Sequence, residues 1–229
     1  MNKLAITLAA AIVLAVSPAL AGWNGLYIGG NVGGGRGHVS VTDTDGGVAP
    51  GPFDYGVTNA MVGVDAGYNW QNGNLVYGVE GDLGYMGSWG AGTIGSSHAG
   101  HVQNLTLDSG AYGDITGRVG WGDDSTLFYL KGGLAFFSGS ARQTTTAPGY
   151  ATTGTGTFTG WTAGVGIEHY ISPNLSVKAE YQHYGFGGQG GNQTATAYDP
   201  KDMTPNGYVF NNSTTASFDV IKVGLNYHF

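Results

Sequence analysis

From residue 216 to the carboxy terminus, apolar and polar residues alternate. Ile221, Val223, Leu225, Tyr227 and Phe229 fall on one face, and Val220, Lys222, Gly224, Asn226 and His228 on the other. Successive side chains of a β-strand point to opposite faces, so the pattern predicts a strand with one continuous apolar face. A strand that ends on an aromatic suits the last strand of a lipid-embedded barrel better than a soluble sandwich. The same period of two recurs upstream. Ala60, Val62, Val64, Ala66, Tyr68 and Trp70 oppose Asn59, Gly63, Asp65, Gly67 and Asn69. Leu75, Tyr77, Val79, Leu83 and Tyr85 oppose Glu80 and Asp82, and Ile115, Val119 and Trp121 oppose Asp114, Thr116 and Arg118. Phe128, Leu130, Leu134 and Phe136 oppose Tyr129 and Lys131; Trp161, Ala163, Val165 and Ile167 oppose Thr162 and Glu168. Val177, Ala179 and Tyr181 oppose Lys178, Glu180 and Gln182.

Turn signals separate these segments. Gln71-Asn72-Gly73-Asn74 carries the Asn-Gly hairpin pair, and Gly122-Asp123-Asp124-Ser125 and Ser172-Pro173-Asn174-Leu175 are tight turns as well. Long polar stretches lie between them, at 42–56, 90–104, 144–156 and 187–215. Three short turns and four long loops predict eight strands, at 26–41, 57–70, 75–89, 105–121, 126–143, 157–171, 176–186 and 216–229. The expected fold is all-β, an eight-stranded antiparallel up-and-down transmembrane β-barrel. Both termini and the short turns face the periplasm, and the long loops face outward.

A lysine or arginine on the lipid face at mid-bilayer costs about 2–4 kcal/mol, so the charged face must line the lumen. It collects Asp65, Glu80, Asp82, Asp114, Glu168 and Glu180 against Arg118, Lys131, Lys178 and Lys222. Eight strands enclose room for little more than side chains. The expectation is a filled, ion-paired interior with Arg118 at its hub and Asp82 and Asp114 as its partners. Trp23, Trp70, Trp121, Tyr227 and Phe229 are expected in a periplasmic aromatic girdle, and Trp89 and Trp161 in an outer one.

Composition strengthens this picture. Charged residues make up 10% of the chain, against about 25% in soluble domains, so much of the surface avoids water. The formal charge of −7 disfavours nucleic acid, and the lack of cysteine excludes disulfides and thiolate metal sites. Residues 1–21 read as a secretory signal: a basic start at Lys3, an apolar run from Leu4 to Val16, and an Ala-x-Ala end at Ala19-Leu20-Ala21. Residues 22–229 form the barrel domain. No other segment is apolar enough for a membrane helix, which leaves strands to make the crossing.

Three further constellations carry little chemistry. The glycines from Gly29 to Gly37 have no following helix and no Lys-Ser or Lys-Thr pair, so they do not make a phosphate loop. His98 and His101 are a weak metal pair without a carboxylate cluster. His38 and Ser40 share one face near the outer end of the first strand, as a lipid hydrolase would need, but no orienting acid is identifiable. No catalytic residue, cofactor or metal is expected.

The segment from Trp23 to Gly35, WNGLYIGGNVGGG, resembles the start of the alphaproteobacterial surface-antigen porin-like family of small outer-membrane barrels. Gly67-Tyr68-Asn69-Trp70-Gln71, Val79-Glu80-Gly81-Asp82 and the ending from Val223 to Phe229 resemble it too. The resemblance implies an OmpA-type eight-stranded barrel in the Gram-negative outer membrane, abundant and antigenic, with no catalytic residues. The expected role is structural, with loops for surface interactions; a narrow channel for ions or small solutes is the alternative, and a lipid-active enzyme the third reading. The expected partners are outer-membrane lipids and lipopolysaccharide, periplasmic chaperones, and a barrel-insertion machinery that reads Tyr227 and Phe229 as an assembly signal.

Overall fold

The structure is a computed structural model that describes residues 22–43, 52–89, 91–95, 102–107, 109–145, 151–198 and 205–229. The leader 1–21 and the pair His98 and His101 lie outside the described residues, as does the side chain of Trp89. The strands are β1 (Gly25–Asp43), β2 (Pro52–Asn72), β3 (Leu75–Trp89), β4 (Ala91–Gly95), β5 (Val102–Leu107), β6 (Gly110–Gly122), β7 (Thr126–Thr145), β8 (Ala151–Ser172), β9 (Leu175–Tyr198) and β10 (Pro205–His228). Eight of them form a ring, β1-β2-β3-β6-β7-β8-β9-β10, antiparallel throughout. The ring closes between first and last strand, from Tyr27 opposite His228 to Asp43 opposite Asn212. Closure leaves no sheet edge for lipid to meet, which is what a membrane-spanning sheet requires.

The three short turns stand where the sequence places them. Gly73 adopts φ 61°, the left-handed conformation that glycine takes without strain. At the second turn the Asp123 carboxylate accepts the backbone N–H groups of Ser125 at 2.8 Å and Thr126 at 2.7 Å. Those two bonds hold its carboxyl below the usual carboxylate range.

The outer halves depart from the sequence reading. The expected fourth strand is two pieces, β5 and β6. Leu107 faces Ala141 while Ala111 faces Ser138, so the register against β7 steps by one residue at the break. Ser109 and Gly110 lie at that step, before the β6–β7 ladder is taken up at Ala111. The expected loop at 90–104 contains β4 and part of β5, a hairpin resting on the outer end of β7. The expected loop at 187–215 is largely ladder, from Pro205 opposite Tyr198 to Thr214 opposite Gln189. Its Thr194-Ala195-Thr196-Ala197 stretch alternates with period two and is rich in β-branched residues. This extension lacks the continuous apolar face that marks a lipid-facing segment.

The alternation fixes the two surfaces. Val64, Ile115, Leu134 and Ile221 are 64–72% exposed on the outer wall, whereas all ten strand charges named above are at most 4% exposed inside. The narrow lumen is packed against its own backbone. A Cβ on Gly67 would strike the Tyr27 hydroxyl, and one on Gly166 the Tyr129 ring. Glycine at these two positions lets the tyrosines lie flat across the barrel.

Candidate functional site

The interior of the barrel is built in three tiers. The lowest is apolar and aromatic: Trp23, Val76 and Leu127, with Tyr170 packed against them. Trp23 is wholly buried, which corrects its expected place in the lipid-facing girdle. It precedes β1, so strand alternation does not govern it, and Gly25 at φ 129° turns the chain beneath the barrel. The Trp23 backbone N–H donates to Gln71 Oε1 at 2.6 Å and its indole N–H to the Asp123 carbonyl at 2.9 Å. Its ring lies 4.3 Å from that of Tyr170, whose hydroxyl donates to the Gly22 carbonyl at 3.1 Å.

The middle tier holds the charges. Lys131 donates to Glu80 and lies 3.3 Å from Glu180. Glu80 also accepts the Tyr27 hydroxyl at 2.8 Å and lies 3.6 Å from Arg118 and from Lys178. Lys178 pairs with Asp65 at 2.9 Å, and Lys222 with Asp82 at 3.0 Å. Asn31 bridges those two aspartates, donating to each at 3.0 Å. Glu168 accepts from Ser176 at 2.6 Å and Asn226 at 2.8 Å, and contacts His228 at 3.1 Å.

Arg118 joins Glu168 at 3.3 Å to Glu80, donates through Nε to Asn69 at 2.7 Å, and lies over the Tyr27 and Tyr129 rings at 4.5 and 5.1 Å. Its partners are therefore not Asp82 and Asp114. Asp114 and Arg118 lie four residues apart on one strand, about 13 Å along it, so they occupy different heights. Asp114 is the one carboxylate of the six without an ion pair among the described residues; it accepts from Tyr184 at 2.9 Å and Gln182 at 3.2 Å.

The upper tier is apolar again and was not anticipated from the sequence. Phe137 stands at its centre, with the rings of Phe158, Phe186 and Phe218 at 6.2, 6.3 and 6.2 Å. Val39, Val57, Met61 and Met86 pack around them. The signal was available: Phe137 has the inward parity of Lys131, Phe186 that of Gln182, and Phe218 that of Lys222.

The carboxy terminus lies at the short-turn end. The Phe229 N–H donates to the Leu26 carbonyl at 3.0 Å, tying the last residue to β1. Tyr227 faces outward, 47% exposed, and its ring meets that of Phe229 edge-on at 5.1 Å. Near the outer end, His38 Nε2 lies 3.4 Å from Asp54, a neighbouring acid that sequence inspection did not reveal.

A closed antiparallel ring of eight strands, apolar outside and charged within, defines an outer-membrane β-barrel protein. The chain belongs to the outer membrane protein beta-barrel domain family, whose model matches residues 6–229. It is similar to a 22 kDa outer membrane protein of Rhizobium leguminosarum bv. viciae, 32% identical over 70% of this chain and 63% of that protein. The chain thus spans less than two thirds of that relative's length. It is also similar to a 31 kDa outer-membrane immunogenic protein of Brucella melitensis, 29% identical over 90% of this chain and 84% of that one. Among solved structures, the outer membrane protein OprG from Pseudomonas aeruginosa shares the fold, with TM-score 0.53 and 13% identity over 92% of this chain and 99% of OprG. The protein resides in the outer membrane of a Gram-negative bacterium.

Proposed function

We propose that the protein is a non-enzymatic, structural barrel of surface-antigen type, whose lumen is blocked by its own side chains and whose long loops serve surface interactions. The observation that carries this reading is the stack of two apolar tiers around a paired charge network. An ion crossing it would have to leave water twice and pass between buried rings. The Rhizobium relative is an outer membrane protein and the Brucella relative an outer-membrane immunogenic protein, which supports a surface-antigen reading. On this reading a leader of residues 1–21 is removed on export. Periplasmic chaperones then deliver the chain to the insertion machinery, which recognises the terminal strand through Tyr227 and Phe229. The folded barrel sits among outer-membrane lipids and lipopolysaccharide.

Planar-bilayer recording tests the blocked lumen against the narrow-channel alternative. Refolded protein should insert without steady conductance steps. A stable, ohmic step at low voltage would move the channel reading ahead.

A further inference from the structure

A groove of about 340 Å³ opens on the outer wall, backed by Phe186 of the upper tier. Trp161 of β8, His183 of β9, Ser217 of β10 and His38 of β1 line it. Its height follows from β10. Asp219, beside the groove, precedes Phe229 by ten residues, and Ile221, Val223, Leu225 and Tyr227 face lipid between them. Ten residues of a strand tilted by about 40° rise about 25 Å, the height of the apolar band of such barrels. The groove therefore sits at the outer-leaflet headgroups.

Its side chains are pre-set. A Cβ on Gly185 would come within 2.8 Å of the Trp161 indole, so the ring lies close against glycine backbone, while the residue remains 53% exposed. An exposed indole face is electron-rich and stacks on the C–H face of a sugar ring. His183 Nδ1 contacts Asp219 at 2.8 Å, and the same carboxylate accepts the Tyr181 hydroxyl at 2.6 Å. His38 Nε2 is engaged by Asp54. Each imidazole is thus oriented through one nitrogen, and among the described residues the other carries no hydrogen bond; it can accept from a sugar hydroxyl or, when protonated, donate to a phosphate oxygen. Arg36 stands directly across from Asp219 in the β1–β10 ladder and sets a permanent positive charge against the Asp219 and Asp54 carboxylates that hold the two imidazoles.

A second, apolar groove of about 820 Å³ begins below it at Ile221 of β10 and Tyr181 of β9, and crosses the wall through Val165 and Leu130 to Val119 and Leu75 near the short turns. Tyr181 joins the two, its ring in the apolar trench and its hydroxyl on Asp219.

We propose that this composite groove binds a phosphorylated glycolipid of the outer leaflet, its sugar stacked on Trp161, its phosphate held by His183, His38 and Arg36, and an acyl chain lying in the upper end of the trench, against Tyr181, Ile221 and Val165. The occupant is a lipid and not a free sugar phosphate because the trench continues the polar groove within the lipid boundary. The site stands apart from the lumen and holds whether or not the barrel conducts.

Native mass spectrometry of the detergent-refolded full barrel provides the test, with three probes: bis-phosphorylated lipid A, its dephosphorylated form, and glucose 6-phosphate. The expected result is a one-to-one adduct with lipid A and about tenfold weaker binding of the dephosphorylated lipid, the loss of a charge-assisted hydrogen bond. His183→Ala and Trp161→Ala should each weaken lipid A binding by about the same factor, and Trp161→Phe should restore it in part. Heat-modifiable migration confirms that each variant is folded, and the two wild-type lipid arms decide the question if one is not. Equal binding of the two lipids, unaltered binding by both folded alanine variants, or binding of glucose 6-phosphate as tight as that of lipid A would each overturn the proposal.

Discussion

At the scale of single residues, Arg118 shows what a buried charge demands. Its guanidinium is enclosed by two carboxylates, an amide oxygen and two aromatic faces. A planar fork serves several acceptors in different directions, which a lysine ammonium on a flexible stem does less well. Removing it leaves Glu168 without a permanent cation in a dry interior, while Glu80 keeps Lys131 and Lys178; the uncompensated carboxylate costs about 3–5 kcal/mol. Arg118→Ala is therefore expected to lower the unfolding midpoint in detergent far more than Asp124→Ala in the exposed second turn, with Arg118→Lys between them. Urea titrations of the three variants check the order. Which residues carry charge into the lumen was legible in the sequence, because strand parity alone decides it. Which charge meets which was not. Pairing depends on the height each strand gives a residue around the ring, and Asp82 and Asp114 prove to face one another in the β3–β6 ladder.

At the scale of elements, the terminal strand joins a structural task to the proposed role in assembly. It closes the ring through its full ladder to β1, and it ends on Tyr227 and Phe229. The Phe229 N–H bond to Leu26 is one among many in that ladder. Deleting Phe229 should thus cost little folded-state stability while impairing recognition during assembly. The expected outcome is a reduced heat-modifiable fraction in outer membranes, with folding into detergent micelles in vitro unchanged. Normal cellular assembly of the shortened chain would contradict this account of the tail. The membrane-crossing parts of the strands were readable because lipid imposes an apolar face on every second residue. Beyond the lipid that constraint ends, so the polar extensions of β9 and β10 and the β4–β5 hairpin passed for loops. Trp23 escaped for a related reason: it lies before the first strand, outside the reach of alternation.

At the scale of the whole molecule, the barrel is a wall around a core whose order inverts that of a soluble protein. Polar groups occupy the centre and apolar tiers cap them above and below. The central claim is that the charged middle tier is shut off from water at both ends. The chain has no cysteine, which makes a single introduced thiol an unambiguous reporter. Thr116 is 1% exposed within the middle tier, and cysteine is close to it in size. The deciding measurement is the labelling of Thr116→Cys by a membrane-impermeant maleimide in vesicles that expose either end of the barrel. The thiol is expected to stay unlabelled from both sides, and to become reactive from the short-turn side once Trp23→Ala removes the lower tier. Rapid labelling with Trp23 and the upper phenylalanines intact would show a water-filled passage and contradict the account.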